Sequence, residues 1–416
     1  MSSAKEIIIV GGGAAGLCAA KQLQKRGVPY RLFEAEDRAG GRLKTDLQDG
    51  FRLDHGFQVL LTAYPECRAQ LDYDKLNLKS FYPGALVHFE EEFHTLADPF
   101  RNPVEGLKSL FSKIGTFSDK FKVAALRKEV RKGSPAGLFE RPEKPTYTYL
   151  EEKGFSQEMI NRFFRPFFGG IFLEKNLLTS SRLFEFYYRM FSEGDIAVPE
   201  AGMGAIAAQL AAGLSPASLH FNTAIQEVTP HSVTPEFGDK IEAGAVILAV
   251  DGLAASKLLS GYPQPTFNAT TCLYYAIDKV PLQVPTLILN GEGSGPVNNL
   301  AILSNVSPSY APPGKGLISV SVIGDPLSSD AALDIKVRQQ MAEWFGYDPD
   351  FFLHLKTYRI PRALPQPGSD VNLFSGLSVV REDGLVIAGD HLSAGSLHGA
   401  MRSGREAADL AIEMVS

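Results

Sequence analysis

The sequence predicts an α/β protein: a Rossmann-like dinucleotide-binding domain of the G-x-G-x-x-G type, discontinuous in the chain, with an α+β domain interleaved through it. Three observations carry that prediction. An apolar run, Ile7-Ile8-Ile9-Val10, leads straight into Gly11-Gly12-Gly13-Ala14-Ala15-Gly16, and apolar strands recur far downstream at Ala245–Val250 and Leu385–Ala388. Between them the strand–helix rhythm gives way to stretches rich in proline and phenylalanine. The chain's 416 residues also exceed what one hydrophobic core usually serves.

The four β-branched residues of the first run read as a strand buried on both faces. Gly11 allows a tight turn, Gly13 lets a pyrophosphate approach the backbone, and Gly16 lets the following helix pack closely. That helix continues through Ala19, Ala20 and Leu23 to Gly27, and its N-terminal N–H groups and dipole favour phosphate. Tyr30-Arg31-Leu32-Phe33 reads as the second strand. Glu34 ends it about 20 residues beyond the glycines, where a carboxylate accepts hydrogen bonds from an adenosine ribose. A lone glycine motif is weak evidence; the strand, helix and acid around it make it specific.

Arg38-Ala39-Gly40-Gly41-Arg42 follows almost at once. Strand, glycine turn, acid and Gly-Gly-Arg together resemble the FAD site of the flavin amine oxidase superfamily, which includes amine oxidases, protoporphyrinogen oxidases and plant-type phytoene desaturases. The resemblance implies FAD as cofactor. It places Gly11, Gly13, Ala14, Ala15 and Gly16, with Gly40 and Gly41, along the dinucleotide, Arg42 as the phosphate cation, and Glu34 with Ala35 at the ribose end. The plain alternative for Arg42 is a surface arginine on a solvated turn.

Thr45 to Gly50 reads as a hairpin turn and Phe51 to Leu60 as a strand entering the flavin site. The resemblance sets Gly56, Phe57 and Gln58 beside the isoalloxazine ring. His55 is a weak catalytic candidate, because a histidine beside an acid is more often structural. From Tyr64 to Ala197 the pattern changes to that of an inserted substrate domain. Within it, Arg101 to Lys132 carries nine Lys/Arg and three Asp/Glu, interleaved with Leu107, Leu110, Phe111, Ile114, Phe117 and Phe121. A basic amphipathic stretch suggests peripheral docking on an anionic membrane; the alternative is a surface helix pair burying one face in its own domain. The aromatic run Asn161–Phe172, with Leu183, Phe184, Phe186, Tyr187, Tyr188, Met190 and Phe191, reads as core from which a few side chains wall an apolar tunnel.

Pro199-Glu200-Ala201-Gly202-Met203 resembles the family's Pro-x-Gly-Gly-Met turn, with Ala201 replacing the first glycine. A helix is expected over Ile206–Ala212 and a strand over Leu219–Val228, where the resemblance puts the backbone of Ile225 against adenine. Tyr262 to Pro367 reads as the sheet of the substrate domain, with strands at Cys272–Ile277 and Leu317–Ile323 and a helix at Ala331–Phe345. The expected division is residues 1–63, 198–261 and 368–416 for the FAD domain and 64–197 and 262–367 for the substrate domain.

The strand Gly384–Asp390 and the small-residue helix after it complete the resemblance. In the family, Gly389 and Asp390 serve the ribityl and pyrophosphate region, and Gly395, Ser396 and Leu397 meet the flavin at a helix N-terminus, which stabilises charge gained near N1. The chain also departs from the family here. Amine oxidases usually carry Gly-Tyr-Met-Glu-Gly-Ala where this chain has Gly395-Ser396-Leu397-His398-Gly399-Ala400, so the amine-cage tyrosine is Ser396 and the acid His398. The pattern is nearer the Ser-Met-Glu-Gly-Ala of carotenoid desaturases. The lysine that amine oxidases hold near N5 has no counterpart that can be placed, Lys315 being the only lysine in a plausible region and its loop a poor match.

The expectation is an FAD-dependent oxidoreductase that passes a hydride from a small apolar substrate to flavin N5, oxidising a C–C bond, with His398 and His55 as weak catalytic candidates. A C–N (amine) oxidase is the alternative. A non-catalytic FAD-binding scaffold or membrane-docked carrier is the alternative of another class, and a single full glycine fingerprint argues against a separate NAD(P) domain. The net charge of −6 gives no reason to expect nucleic acid binding. Cys18, Cys67 and Cys272 are too scattered for a disulfide framework or a zinc site, so no metal is expected. With no apolar run of about 18 residues and Glu6 abutting the first strand, neither a membrane span nor an export signal is expected, and a cytoplasmic protein is the default.

Overall fold

Ile7–Val10 lies inside a six-stranded sheet whose order is Leu219–His220, Tyr30–Phe33, Ile7–Val10, Ala245–Leu248, Val386–Ala388, Ser378–Val380. The first five strands run parallel and the last antiparallel. This computed structural model describes residues 6–109, 112–366, 372–374, 378–392 and 395–416, and of 107 and 108 the backbone alone. The boundary expected at 367 and 368 lies outside the described residues.

Successive residues of a strand face opposite sides of the sheet, and both sides here are apolar. Ile7, Ile9, Ala245 and Ile247 face a core shared with the helix Ala14–Arg26 and the helix Leu397–Val415. Ile8, Val10, Val246 and Leu248 face Ala255 of the helix Gly252–Leu258 and Val233 of a small three-stranded sheet. The two long helices touch where a Cβ on Gly404 would lie 1.9 Å from the carbonyl oxygen of Ala15. Only glycine permits that separation.

The strand expected over Leu219–Val228 is broken in two. Leu219–His220 pairs with Tyr30–Phe33 at the sheet edge, the chain turns at Asn222 with φ 52°, and Ile225–Thr229 opens the separate small sheet. Asparagine tolerates the left-handed conformation such a turn requires. Backbone bonds from Thr223 N to the Glu34 carbonyl (2.9 Å) and from Asn222 N to the Glu36 carbonyl (2.8 Å) hold the bend against the loop after Glu34. The helix expected to start at Ile206 spans Gly204–Ala212.

A second sheet of seven strands runs Leu353–Pro365, Phe267–Ile277, Gly316–Ile323, Asn299–Ile302, Leu287–Asn290, Gly84–Phe89, Glu92–Ala97. One face presents Leu273, Tyr275, Ile318 and Val320 to Leu333, Val337 and Met341 of the helix Asp330–Phe345. The other turns Cys272, Tyr274 and Leu317 toward the core shared with the first sheet. Thr45–Gln48 and Phe51–Asp54 form a hairpin, and it joins the two sheets: the Tyr274 hydroxyl donates to the backbone carbonyl of Asp54 at 2.9 Å.

The aromatic run is core. Phe164, Phe168, Phe172, Phe184 and Phe186 are all among the fully buried side chains, packed between the π-helical turn Ile160–Phe164, the helix Arg165–Phe172 and the helix Ser181–Glu193. Residues 101–132 form the helices Pro103–Ser109 and Phe117–Val130. Of their expected apolar set, Leu110, Phe111 and the side chain of Leu107 lie outside the described residues; Ile114 is buried, and Phe117 and Phe121 are exposed. Among the described residues no helix is long and apolar enough to cross a membrane, and no group of three or more His, Cys, Asp or Glu could hold a metal ion.

Candidate functional site

The parallel strands end on one side of the sheet, and the loops leaving those ends build the site. Gly11 takes φ 107°, and its N–H donates to the Phe33 carbonyl at 2.8 Å. A Cβ on Gly16 would lie 1.9 Å from the Gly11 oxygen, whereas one on Gly13 would meet nothing within 4 Å. Gly13 is the N-cap of the helix Ala14–Arg26 and brings no capping side chain, so the first-turn N–H groups of Ala14 and Ala15 have no side-chain acceptor at the cap. The second glycine turn folds onto the first: Gly40 N–H donates to the Gly12 carbonyl at 2.9 Å, and Gly41 stands against Gly13. Open space in front of uncapped helix N–H groups has the shape and polarity to receive a pyrophosphate.

The half-buried carboxylate of Glu34 accepts from Gly12 N–H at 2.6 Å and from Glu36 N–H at 2.9 Å. An ionised carboxylate has about four acceptor positions, so capacity remains for ribose hydroxyls. Ala35 beside it is exposed. Ile225 sits in the small sheet, its backbone paired with Pro235.

Arg42 and Asp390 come together from opposite ends of the chain. The guanidinium donates to Asp390 at 2.5 Å and to the Ala363 carbonyl at 3.0 Å. Burial opposes charge on Arg42, but the Asp390 carboxylate outweighs it and holds the guanidinium above its ordinary value. Gly389 N–H donates to the Ser403 hydroxyl at 2.9 Å, fixing the strand end to the last helix. The Gln58 amide is used internally, donating to the carbonyls of Arg42 (3.0 Å) and His55 (3.1 Å), while Gly56 packs on Ile360 and Phe57 meets Phe81 edge-on.

At the far end, the Ser396 hydroxyl accepts from Gly399 N–H at 3.0 Å and caps the helix that Leu397 begins. The Tyr187 hydroxyl reaches the Gly395 carbonyl at 3.4 Å. Beside Gly395 is a shallow recess, partly open to solvent, walled by Phe172, Leu183, Tyr187, Leu364 and Pro365, with Asn268 and Thr179 at its polar edge. Burial pushes the Tyr187 phenol up, so it stays protonated at neutral pH. Of the aromatic run, Phe172 is the member that reaches this recess.

Neither histidine lines it. His398 is 1% exposed, its Nδ1 accepts from Glu66 N–H at 3.3 Å, its ring lies against Tyr64, Phe186 and Phe374, and its Nε2 has no partner among the described residues. Burial pushes it down to about 4, against the pull of Glu66, so it is neutral at neutral pH. His55 stands on the hairpin with its Nε2 at 2.8 Å from Asp46, which also accepts from Tyr358 at 2.8 Å and from Arg38 at 2.9 Å. Burial raises the Asp46 carboxyl, but those three bonds outweigh it and bring the group to about 2. Lys315 is half exposed and paired with Asp278, and it does not line the recess.

Asp54 is buried under the same loops. It accepts from Thr45 at 2.5 Å, Met203 N–H at 2.9 Å and Tyr310 at 2.8 Å, and burial still raises it to about 6. Leu364, Pro365, Asn268 and Ala363 carry no local signal in the sequence. The one trace of Ala363, Leu364 and Pro365 is the proline-bounded run Pro361–Pro365, which the fold lays across the site as the end of the strand Leu353–Pro365, while Asn268 comes from the strand Phe267–Ile277.

Comparison with known proteins gives three results. The profile of a family described as flavin containing amine oxidoreductase matches residues 14–412. Protoporphyrinogen oxidase 2, chloroplastic/mitochondrial, of Arabidopsis thaliana is 27% identical over 40% of this chain and 32% of its own length; a 1-hydroxycarotenoid 3,4-desaturase of a Flavobacterium species is 30% identical over 26% and 28%. The chain thus matches about a third of the length of these curated relatives. Among solved structures, an oxidoreductase from Methanosarcina mazei superposes with a TM-score of 0.77 at 17% identity, covering 96% of this chain and 99% of that one, a likeness of fold.

Proposed function

Since the chain belongs to the flavin-containing amine oxidoreductase family, whose cofactor is FAD, we propose that it oxidises a C–C bond of a small apolar substrate by hydride transfer to the flavin. The observation that carries this reading is the recess beside Gly395, whose wall is mainly apolar and aromatic and, among the described residues, holds no carboxylate, lysine or histidine. An amine substrate entering it would meet no anion among the described residues, and the position of the amine-cage tyrosine is held by Ser396, whose hydroxyl is occupied as a helix cap.

In this reading the chain's own residues bind, orient and exclude water. The N–H groups of Ala14 and Ala15 and the bare backbone of Gly13 receive the pyrophosphate, Glu34 accepts from the adenosine ribose, and Arg42 with Asp390 serves the ribityl side. The N-terminus of the Leu397–Val415 helix, capped by Ser396, places the positive end of its dipole near Gly395, where it favours negative charge. FAD, when bound, supplies the two-electron acceptor. Phe172, Leu183, Tyr187 and Leu364 would hold the substrate's C–H bond in place; oxidation of a C–C bond releases a hydride, which bound FAD would accept, and a proton, which would leave to solvent through the open side of the recess, so the chemistry asks for positioning rather than a side-chain base. A substrate of this kind partitions into bilayers, and the reading includes contact with a membrane surface around residues 101–132.

The test is the absorbance spectrum of the purified protein followed by anaerobic addition of polyenes, porphyrinogens and amines. Bleaching of bound flavin by a polyene or a porphyrinogen supports the proposal, and bleaching by amines alone replaces it with an amine oxidase. A retained flavin that none of them reduces favours the non-catalytic scaffold.

A further inference from the structure

The helix Phe117–Val130 turns Leu126 and Val130 into the core, and with them Asp119, which is 0% exposed and accepts hydrogen bonds from Thr116 N–H and hydroxyl (both 2.7 Å) and from Ser156 N–H (2.9 Å) and hydroxyl (2.6 Å). Its outward side is not polar throughout: Phe117 and Phe121 are 57% and 60% exposed, their rings paired edge to face at 5.1 Å. A surface helix of a self-contained domain keeps large apolar side chains on its inward face.

Phe100, 59% exposed, adjoins the same helix through the Arg127 guanidinium over its ring at 4.6 Å, and Val104 is 66% exposed. Three of the four exposed phenylalanines among the described residues therefore lie within residues 100–121. Single exposed apolar side chains need no explanation, but a cluster marks an interaction surface.

Charge selects the occupant. Residues 101–132 carry nine basic and three acidic residues in a chain of net charge −6. Lys128 falls on the Phe117 and Phe121 face, because positions seven and eleven residues apart return to one side of a helix. It and Lys132 just beyond the helix are exposed and make no ion pair among the described residues. A second copy of the chain would bring like charge against like charge, whereas a bilayer with anionic headgroups accepts both the rings and the lysines.

We infer that Phe117 and Phe121, with Lys128 and Lys132, form a peripheral docking face for an anionic lipid surface. The inference rests on the reading that residues 101–132 meet a membrane, and not on the identity of the substrate. The face is joined to the recess through one helix: Tyr188 donates to the Val123 carbonyl at 3.2 Å and Arg127 to the Ser192 carbonyl at 3.0 Å, and the helix Ser181–Glu193 they reach also carries Leu183 and Tyr187.

The experiment is flotation of the flavin-loaded protein with vesicles of phosphatidylcholine alone and of phosphatidylcholine with phosphatidylglycerol, at low and high salt. Flotation with the anionic vesicles alone, weakened by salt and by Lys128→Glu with Lys132→Glu, is expected; Phe117→Ser with Phe121→Ser should cost about tenfold or more in vesicle affinity. Both rings are exposed, so the melting temperature and flavin content of that variant should match wild type, which keeps a loss of binding interpretable. A protein that stays below the vesicles, a serine variant that floats like wild type, or a dimer formed through this face would each overturn the inference. No substrate enters this assay, so its failure leaves the oxidoreductase reading standing, and the failure of every reductant leaves a positive flotation result standing.

Discussion

Gly13 and Gly16 stand three residues apart in one turn and answer to different constraints. A Cβ at Gly16 would strike the Gly11 carbonyl at 1.9 Å, so Gly16→Ala should destabilise the cofactor-free protein by about 1–3 kcal/mol through forced backbone shifts. A Cβ at Gly13 meets no protein atom within 4 Å, and its φ of −73° suits any residue. Gly13→Ala should therefore melt like wild type without cofactor yet bind FAD at least about tenfold more weakly, since the new methyl group occupies the pyrophosphate's space. Thermal melts of the stripped proteins and FAD titration separate the two, and a Gly13→Ala protein with unchanged FAD affinity would contradict the cradle. These glycines were legible because their constraint is local: turn, bare backbone and helix start follow within six residues. Leu364 and Asn268 were not, because nothing near them in sequence records that the fold carries them to Gly395.

At the scale of elements, the contact between the first and last long helices is made by Gly404 against Ala15. Gly404→Ala should push the helices apart, lower the melting temperature and weaken FAD together, because Ala15 belongs to the turn of helix whose N–H groups face the phosphates. A variant with wild-type melting and flavin content would show that the crossing absorbs a methyl group. Elements also mark where sequence reading stops. Ile7–Val10 and Ala245–Leu248 are strands on any reading, being apolar throughout and buried on both faces. Leu219–Val228 has the composition of one strand, but Asn222 in the left-handed region splits it between two sheets. In Phe117–Val130 the apolar spacing was visible, but it did not show that Leu126 and Val130, with Asp119, face the protein while Phe117 and Phe121 face out.

For the molecule as a whole, two buried groups set opposing pH dependences. Asp54 is raised from 3.8 to about 6 by burial, so between those values the unfolded chain has given up a proton that the folded one keeps. Its contribution is present below pH 3.8 and is lost as pH rises through about 6. His398 is lowered from 6.5 to about 4, so the unfolded chain gains a proton the folded one refuses; its contribution is present above pH 6.5 and is lost as pH falls toward 4. Each is worth on the order of 3 kcal/mol at full extent. Removing one should expose the other: Asp54→Asn should become more stable relative to wild type as pH rises from about 4 to 6.5, and His398→Gln should become less so. Melting temperatures across that range check both, and variants whose profiles run parallel to wild type would remove these groups as the cause.

The six-stranded sheet takes its strands from both ends of the chain. Ile7–Val10 is flanked by Tyr30–Phe33 and by Ala245–Leu248, which in turn needs Val386–Ala388, and the floor beneath the first glycine turn is closed by Gly404. Pairings so distant in sequence form slowly, because a long loop must be closed before they bring any return. A chain leaving the ribosome thus presents its glycine turn well before the strands and the helix that finish it, and must hold it unfinished while everything between is made. The nucleotide cradle is synthesised long before it can be completed.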